Sequence, residues 1–97
     1  MGPPERYLAR IAETGFSHVH WCHHWTGGRF YTWSEVKKIA AILQRHHLKL
    51  LDLHASAGIV ASVSSRIGLR RHPGSALLKN RINMCSELGG GAVVLHV

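Results

Sequence analysis

Acidic residues are what this chain has least of. Five Asp and Glu stand against 12 Lys and Arg, for a formal charge of +7. So few carboxylates exclude a site built mainly from acids supplied by this segment. A balance this basic suits nucleic acid or phosphorylated substrates when the cations cluster. Here they are scattered: Arg70–Arg71 is the one adjacent arginine pair and no long basic tract exists. A nucleic-acid role is therefore the less favoured reading. Cysteine is equally scarce. Cys22 and Cys85 lie far apart with no CxxC pattern, which points to reduced thiols rather than a disulfide framework. No apolar run reaches the ~20 residues of a membrane span. The N-terminal "MGPPERYLAR" lacks the apolar core of a signal peptide, so a cytoplasmic location is expected. With 45% hydrophobic and 18% charged residues, the composition is globular rather than disordered. A chain of 97 residues makes at most one small domain, burying roughly two-thirds of its unfolded surface.

What is present is a regular alternation of elements. Tyr7, Leu8, Ile11 and Ala12 recur at helical spacing after Pro4, and Gly15 is placed to end a first helix near Thr14. "FSHVHWC", Phe16 to Cys22, reads as a strand, and "HHWTGGRFY" as a loop turning at Gly27 and Gly28. Thr32 and Glu35 in "TWSE" form a capping-box pattern ahead of Val36, Ile39, Ala40 and Leu43. That predicts a second helix from Trp33 to about His46. "LKLLDLHAS" predicts a strand over Lys49–His54. The polar stretch from Ala55 to His72 reads as loop, and Pro73 as the opening of a third helix. Its buried face would be Leu77, Leu78, Ile82, Cys85 and Leu88, with Gly89 at its end and a last strand over Ala92–His96. Helix-length connections between apolar strands imply βαβ units and a parallel sheet.

Chemistry in parallel α/β folds collects at the carboxyl ends of the strands. Those ends read "HWCHHW", "DLHAS" and "LHV". His54 and His96 each close a strand, one βαβ unit apart. Strands lie ~4.8 Å apart, so both imidazoles are in reach of one metal ion at bond lengths of ~2.0–2.1 Å. Alternation puts Asp52 with His54, and Val94 with His96, on one face, leaving Leu51, Leu53, Val93 and Leu95 to pack under helices. On the first strand His18, His20 and Cys22 share a face, with Val19 and Trp21 on the other. His46 and His47 suit the exposed end of a helix, where a cation matches the dipole, and His72 a loop or cap. Trp21 and Trp25 are candidate aromatic walls of a pocket. "CHHW" lacks the partner spacing of a zinc finger.

"LARIAETGFSHVHW", "YTWSEVKKIAAILQRHHLKLLDLHAS" and "LLKNRINMCSELGGGAVVLH" together resemble the xylose isomerase-like TIM barrels. That superfamily holds sugar and sugar-phosphate isomerases and epimerases, and the endonuclease IV-type apurinic/apyrimidinic endonucleases. The resemblance implies an α/β fold, a partial TIM (β/α)8 barrel in which the three parallel strands are about the second to fourth of eight. Residues 1–97 would then be the N-terminal part of a single, incomplete barrel domain. In the endonuclease branch the third and fourth strands each end in a zinc-ligating histidine, at the positions of His54 and His96. In the isomerase branch the metal is held mainly by carboxylates and a histidine from later strands. His54 and His96 would there touch substrate or hold a second metal.

The resemblance also marks what is missing. The strand before Pro4 and strands five to eight, with their Glu, Asp and His ligands, have no counterpart here. Glu35 is taken by a helix cap, Glu5, Glu13 and Glu87 fall on helices, and only Asp52 faces the presumed interior. A barrel takes about 250 residues to close. The chain is therefore expected to be part of a metal-dependent sugar or sugar-phosphate isomerase or epimerase. Its metal (Zn, Mn, Co or Mg) would be held through His54 and His96, with His20, Trp21 and Asp52 shaping the substrate pocket. The isolated chain would be inactive. Two alternatives stand beside this reading: an endonuclease IV-type zinc enzyme acting on abasic DNA, and a non-enzymatic half-barrel that self-associates through open sheet edges. Against the endonuclease, "LDLHASAGIV" lacks the Pro- and Tyr-bearing sequence of that branch.

Overall fold

A computed structural model describes residues 4–22, 29–55 and 68–95. Helix α1 spans Pro4–Glu13, strand β1 His18–Trp21, α2 Trp33–Arg45, β2 Lys49–His54, α3 Gly68–Leu88 and β3 Ala92–Val94. The alternation expected from the sequence is thus observed. The strands form one sheet in the order β1-β2-β3, both pairings parallel. The fold is α/β with an open three-stranded sheet.

The helix ends follow from particular residues. Thr32 Oγ1 accepts from the Glu35 amide and Glu35 Oε1 from the Thr32 amide, both at 3.1 Å, closing the capping box. Arg29 also pairs with Glu35. The Thr32 backbone N–H, and next Arg29, hold the Glu35 carboxyl below its ordinary range. A depressed pKa of this kind contributes stability that is complete above the unfolded value and lost as pH falls through the folded one. Thr32→Ala should cost about 1 kcal/mol, and Glu35→Gln should flatten the acid limb of the stability curve, both read by urea unfolding at neutral and acidic pH. An unchanged acid limb in Glu35→Gln would show that the cap carries none of it.

Helix α2 closes through the Leu48 amide to the Leu43 carbonyl (2.9 Å) and the His47 amide to Gln44 (3.2 Å), with His47 in the left-handed region at φ 55°. The same pair of bonds ends α3, from Gly90 to Cys85 and from Gly89 to Ser86, with Gly89 at φ 78°. This is the Schellman arrangement. Gly90 is needed for a different reason: a Cβ there would lie 2.6 Å from Cys85 Sγ and 2.8 Å from Leu50 Cδ2. The strand begins two residues later, so the glycine run lets α3 turn tightly into β3.

The helices form one layer. α1 touches α2, α2 touches α3, and both α2 and α3 lie on β2. Between layer and sheet sits the core, with Leu8, Val19, Trp21, Val36, Ile39, Leu43, Leu50, Leu53, Met84 and Cys85 all buried. Among the described residues nothing covers the opposite sheet face, and the outer edges of β1 and β3 are open.

Three expectations are corrected here. Leu51, expected under the helices, is 46% exposed, and Leu50 is buried instead. The cause is a bulge. Val19 pairs with Leu50 but His20 pairs with Asp52, so Leu51 is an extra residue that shifts the phase of β2. Leu95, just past β3, is likewise exposed at 41%. Second, α3 starts at Gly68, so residues 68–72 are helical rather than loop and Pro73 falls in the second turn. Proline forbids only its own amide bond and crowds the preceding turn, a cost a long helix can absorb. Third, Ile82 is exposed while Arg81 is 1% exposed. The α3 stripe that meets the core runs through Arg81, Met84, Cys85 and Leu88, one position away from an all-aliphatic reading. The loop residues 23–28, the stretch 56–67 and His96 lie outside the described residues.

Candidate functional site

Of the site residues expected from the sequence, the carboxyl ends of β1 and β2 bring His20 and Asp52 into contact, with His54 on the same face. Trp21 turns to the helix side instead of a pocket, and His96 lies outside the described residues. His18 and His20 are exposed on the face away from the helices, while Val19 and Trp21 are buried against them. The bulge sets Asp52 directly beside His20. His20 Nδ1 and Asp52 Oδ2 are 2.8 Å apart, with side chains 61% and 23% exposed. His54, half-buried, follows two residues after Asp52 and pairs in register with Val94 of β3. The Ala55 amide then bonds the Val94 carbonyl at 2.9 Å, fixing the β2 end against its neighbour.

Asp52 has an uneven environment. One oxygen takes His20, while Oδ1 is buried without a hydrogen-bond partner. An ionised carboxylate oxygen in that position is costly unless something satisfies it. Its charge is felt by both cysteines. Burial pushes the Cys22 thiol up and Asp52 adds to the shift. Cys85 is also raised, first by burial, despite donating to the Ala92 carbonyl at 3.4 Å. Both stay protonated thiols at neutral pH, so neither is an activated nucleophile.

Trp21 serves the other side of the sheet. It is 5% exposed, and its Nε1 donates to Tyr31 Oη at 3.2 Å. The Tyr31 backbone is gripped at both groups by the Asn80 amide, at 2.9 and 2.8 Å. Arg81 stacks on the Tyr31 ring at 4.6 Å and donates to the Arg29 carbonyl at 2.7 Å. Arg29 and Tyr31 are thereby clamped to α3. Sequence reading missed this clamp, and its one signal is an arginine on the helix stripe that otherwise carries Met84, Cys85 and Leu88. Grooves of about 480 and 430 Å³ lie between α2 and α3, and neither is lined by His20, Asp52 or His54.

For a metal ion, the half-buried His54 is a donor of the right kind. Among the described residues no three His, Cys, Asp or Glu side chains converge, so a closed site needs a donor from outside them. No helix among these residues is long and apolar enough to cross a membrane.

No protein-family model matches the chain, and no curated protein matches it.

Proposed function

We propose that these strands are about the second to fourth of a (β/α)8 barrel of the xylose isomerase-like kind. Its reaction would be metal-dependent isomerisation or epimerisation of a sugar or sugar phosphate. The observation that supports this reading is the placing of His20, Asp52 and His54 on the helix-free sheet face, at the carboxyl ends of adjacent parallel strands. In a closed barrel that face is the interior and that end is the mouth. A divalent ion, when bound, polarises a substrate carbonyl or hydroxyl oxygen. His54 and His96 would hold it, while His20 and Asp52 meet the substrate. Trp21 contributes by fixing the strand end from behind.

Titration calorimetry with Zn²⁺ and Mn²⁺ tests the ligand assignment on the full chain. Micromolar binding that disappears in His54→Ala and in His96→Ala is expected. Binding unchanged in the double variant removes the assignment.

The +7 charge favours a second reading, an endonuclease IV-type zinc phosphodiesterase. Presenting an abasic duplex and a sugar phosphate to the zinc-loaded chain separates the two. Saturable binding of the sugar phosphate alone supports the isomerase, and preference for the abasic duplex supports the nuclease.

A further inference from the structure

We propose that the groove between α2 and α3 beside Trp33 is a binding site for a neutral sugar. It lies in the helix layer and is lined by none of His20, Asp52 or His54. The proposal therefore does not rest on the isomerase reading. The groove encloses about 430 Å³, within the ~300–1,000 Å³ of small-molecule sites.

Its lining is of two kinds. Tyr31, Val36 and Met84 are buried and give it an apolar base. Trp33 stands beside them, 57% exposed, although tryptophan is highly buried on average. Its indole offers an apolar face and an N–H donor, and that donor has no hydrogen-bond partner among the described residues. Lys37 Nζ lies over the ring at 4.9 Å and pairs with Glu87, a cation–π contact that favours one orientation of the indole.

The polar lining comes from α3. Asn83 and Ser86 lie three residues apart, on one side of the helix, and both are exposed. Neither side chain has a hydrogen-bond partner among the described residues. Amide and hydroxyl together supply donors and acceptors without charge. Asn80 is already engaged, by the Tyr31 backbone and by Arg81.

Charge decides the ligand class. Glu87 is the one ionisable carboxylate of the lining, and Lys37 neutralises it. No Lys or Arg lines the groove, so a nucleotide or sugar phosphate would bring an anion that nothing there receives. A pyranose with equatorial hydroxyls fits better. Its axial C–H groups form a flat apolar face for the electron-rich indole, and its edge presents hydroxyls to Asn83 and Ser86.

Nitrogen-15 NMR of the full, metal-free chain reads the site through the Trp33 indole N–H and the Asn83 side-chain amide. Cellobiose, whose ring hydroxyls are equatorial, should shift both signals saturably. Glucose 6-phosphate and adenosine should bind there more weakly than cellobiose. Trp33→Ala removes an exposed ring and leaves the core intact; it should weaken the cellobiose response at Asn83 by about ten-fold or more. Trp33→Phe keeps a ring and should lose less. Absence of a saturable Trp33 shift in the wild type overturns the proposal, whatever the variants do. Tighter binding of adenosine or glucose 6-phosphate at Trp33 overturns the neutral-sugar assignment, and an undiminished Asn83 response in Trp33→Ala overturns the role of the indole.

Discussion

Leu53→Ala is expected to destabilise the fold by about 2–5 kcal/mol, the cost of deleting a leucine from a packed interior. Leu53 is fully buried, on the central strand, where α2 and α3 both press on the sheet. Its neighbours in register are Trp21 and Val93, so the cavity would open where both strand pairings are held together. A protein of this size has about 5–15 kcal/mol to lose, which makes the variant marginal. Urea unfolding should show a lowered midpoint at unchanged slope. Leu51→Ala is the control, since Leu51 is 46% exposed beyond the bulge. It should cost well under half as much. Equal costs for the two leucines would mean that β2 runs without the extra residue, and the pairing of His20 with Asp52 would fall with it.

That comparison also marks the limit of what the sequence could reveal. The ends of α2 and β2 were legible because their signals are local: Thr32 and Glu35 sit three apart, and Lys49 to His54 form one apolar-rich run. Side-chain alternation likewise put His18 and His20 on one face and Val19 and Trp21 on the other, as observed. The bulge is not local. It is a relation between β1 and β2, and strict alternation through Leu51 gave the wrong face for that residue. The same alternation put Asp52 and His54 together without revealing that Asp52 meets His20. Pro73 misled in another way, because a first-turn preference was read as a start while α3 begins at Gly68. Arg81 was invisible as core because an arginine is buried only when distant groups receive it, here Tyr31 and the Arg29 carbonyl.

Replacing that arginine is the second large effect expected. Arg81 is 1% exposed, and burial lowers its pKa, yet guanidinium stays charged in proteins. Its charge is spread over the Tyr31 ring at 4.6 Å and over bonds to Asn80 Oδ1 and the Arg29 carbonyl, each 2.7 Å. A hydrogen bond from a charged group contributes about 1.5–3 kcal/mol. Arg81→Ala should therefore cost about 3 kcal/mol or more once the lost packing of the stem is included. Arg81→Lys should recover only part of this, because an ammonium cannot fork to two acceptors and stack at once. Arg81→Met separates packing from charge, since it keeps the stem and removes the donors. The Arg29 carbonyl loses this donor, and Tyr31, which receives the Trp21 indole N–H, loses the nearer of the two cations over its ring, keeping Arg29 at 5.2 Å. The β1 carboxyl end should loosen as a result. In Arg81→Met we expect faster amide exchange at Trp21 and Tyr31 and a shifted His20 resonance, with α1 unaffected. Some buried ion networks are replaced by apolar side chains at no cost. If Arg81→Met matches the wild type in stability and in the His20 resonance, the clamp does not hold the strand end, and β1 is positioned by the sheet and the Leu53 core alone.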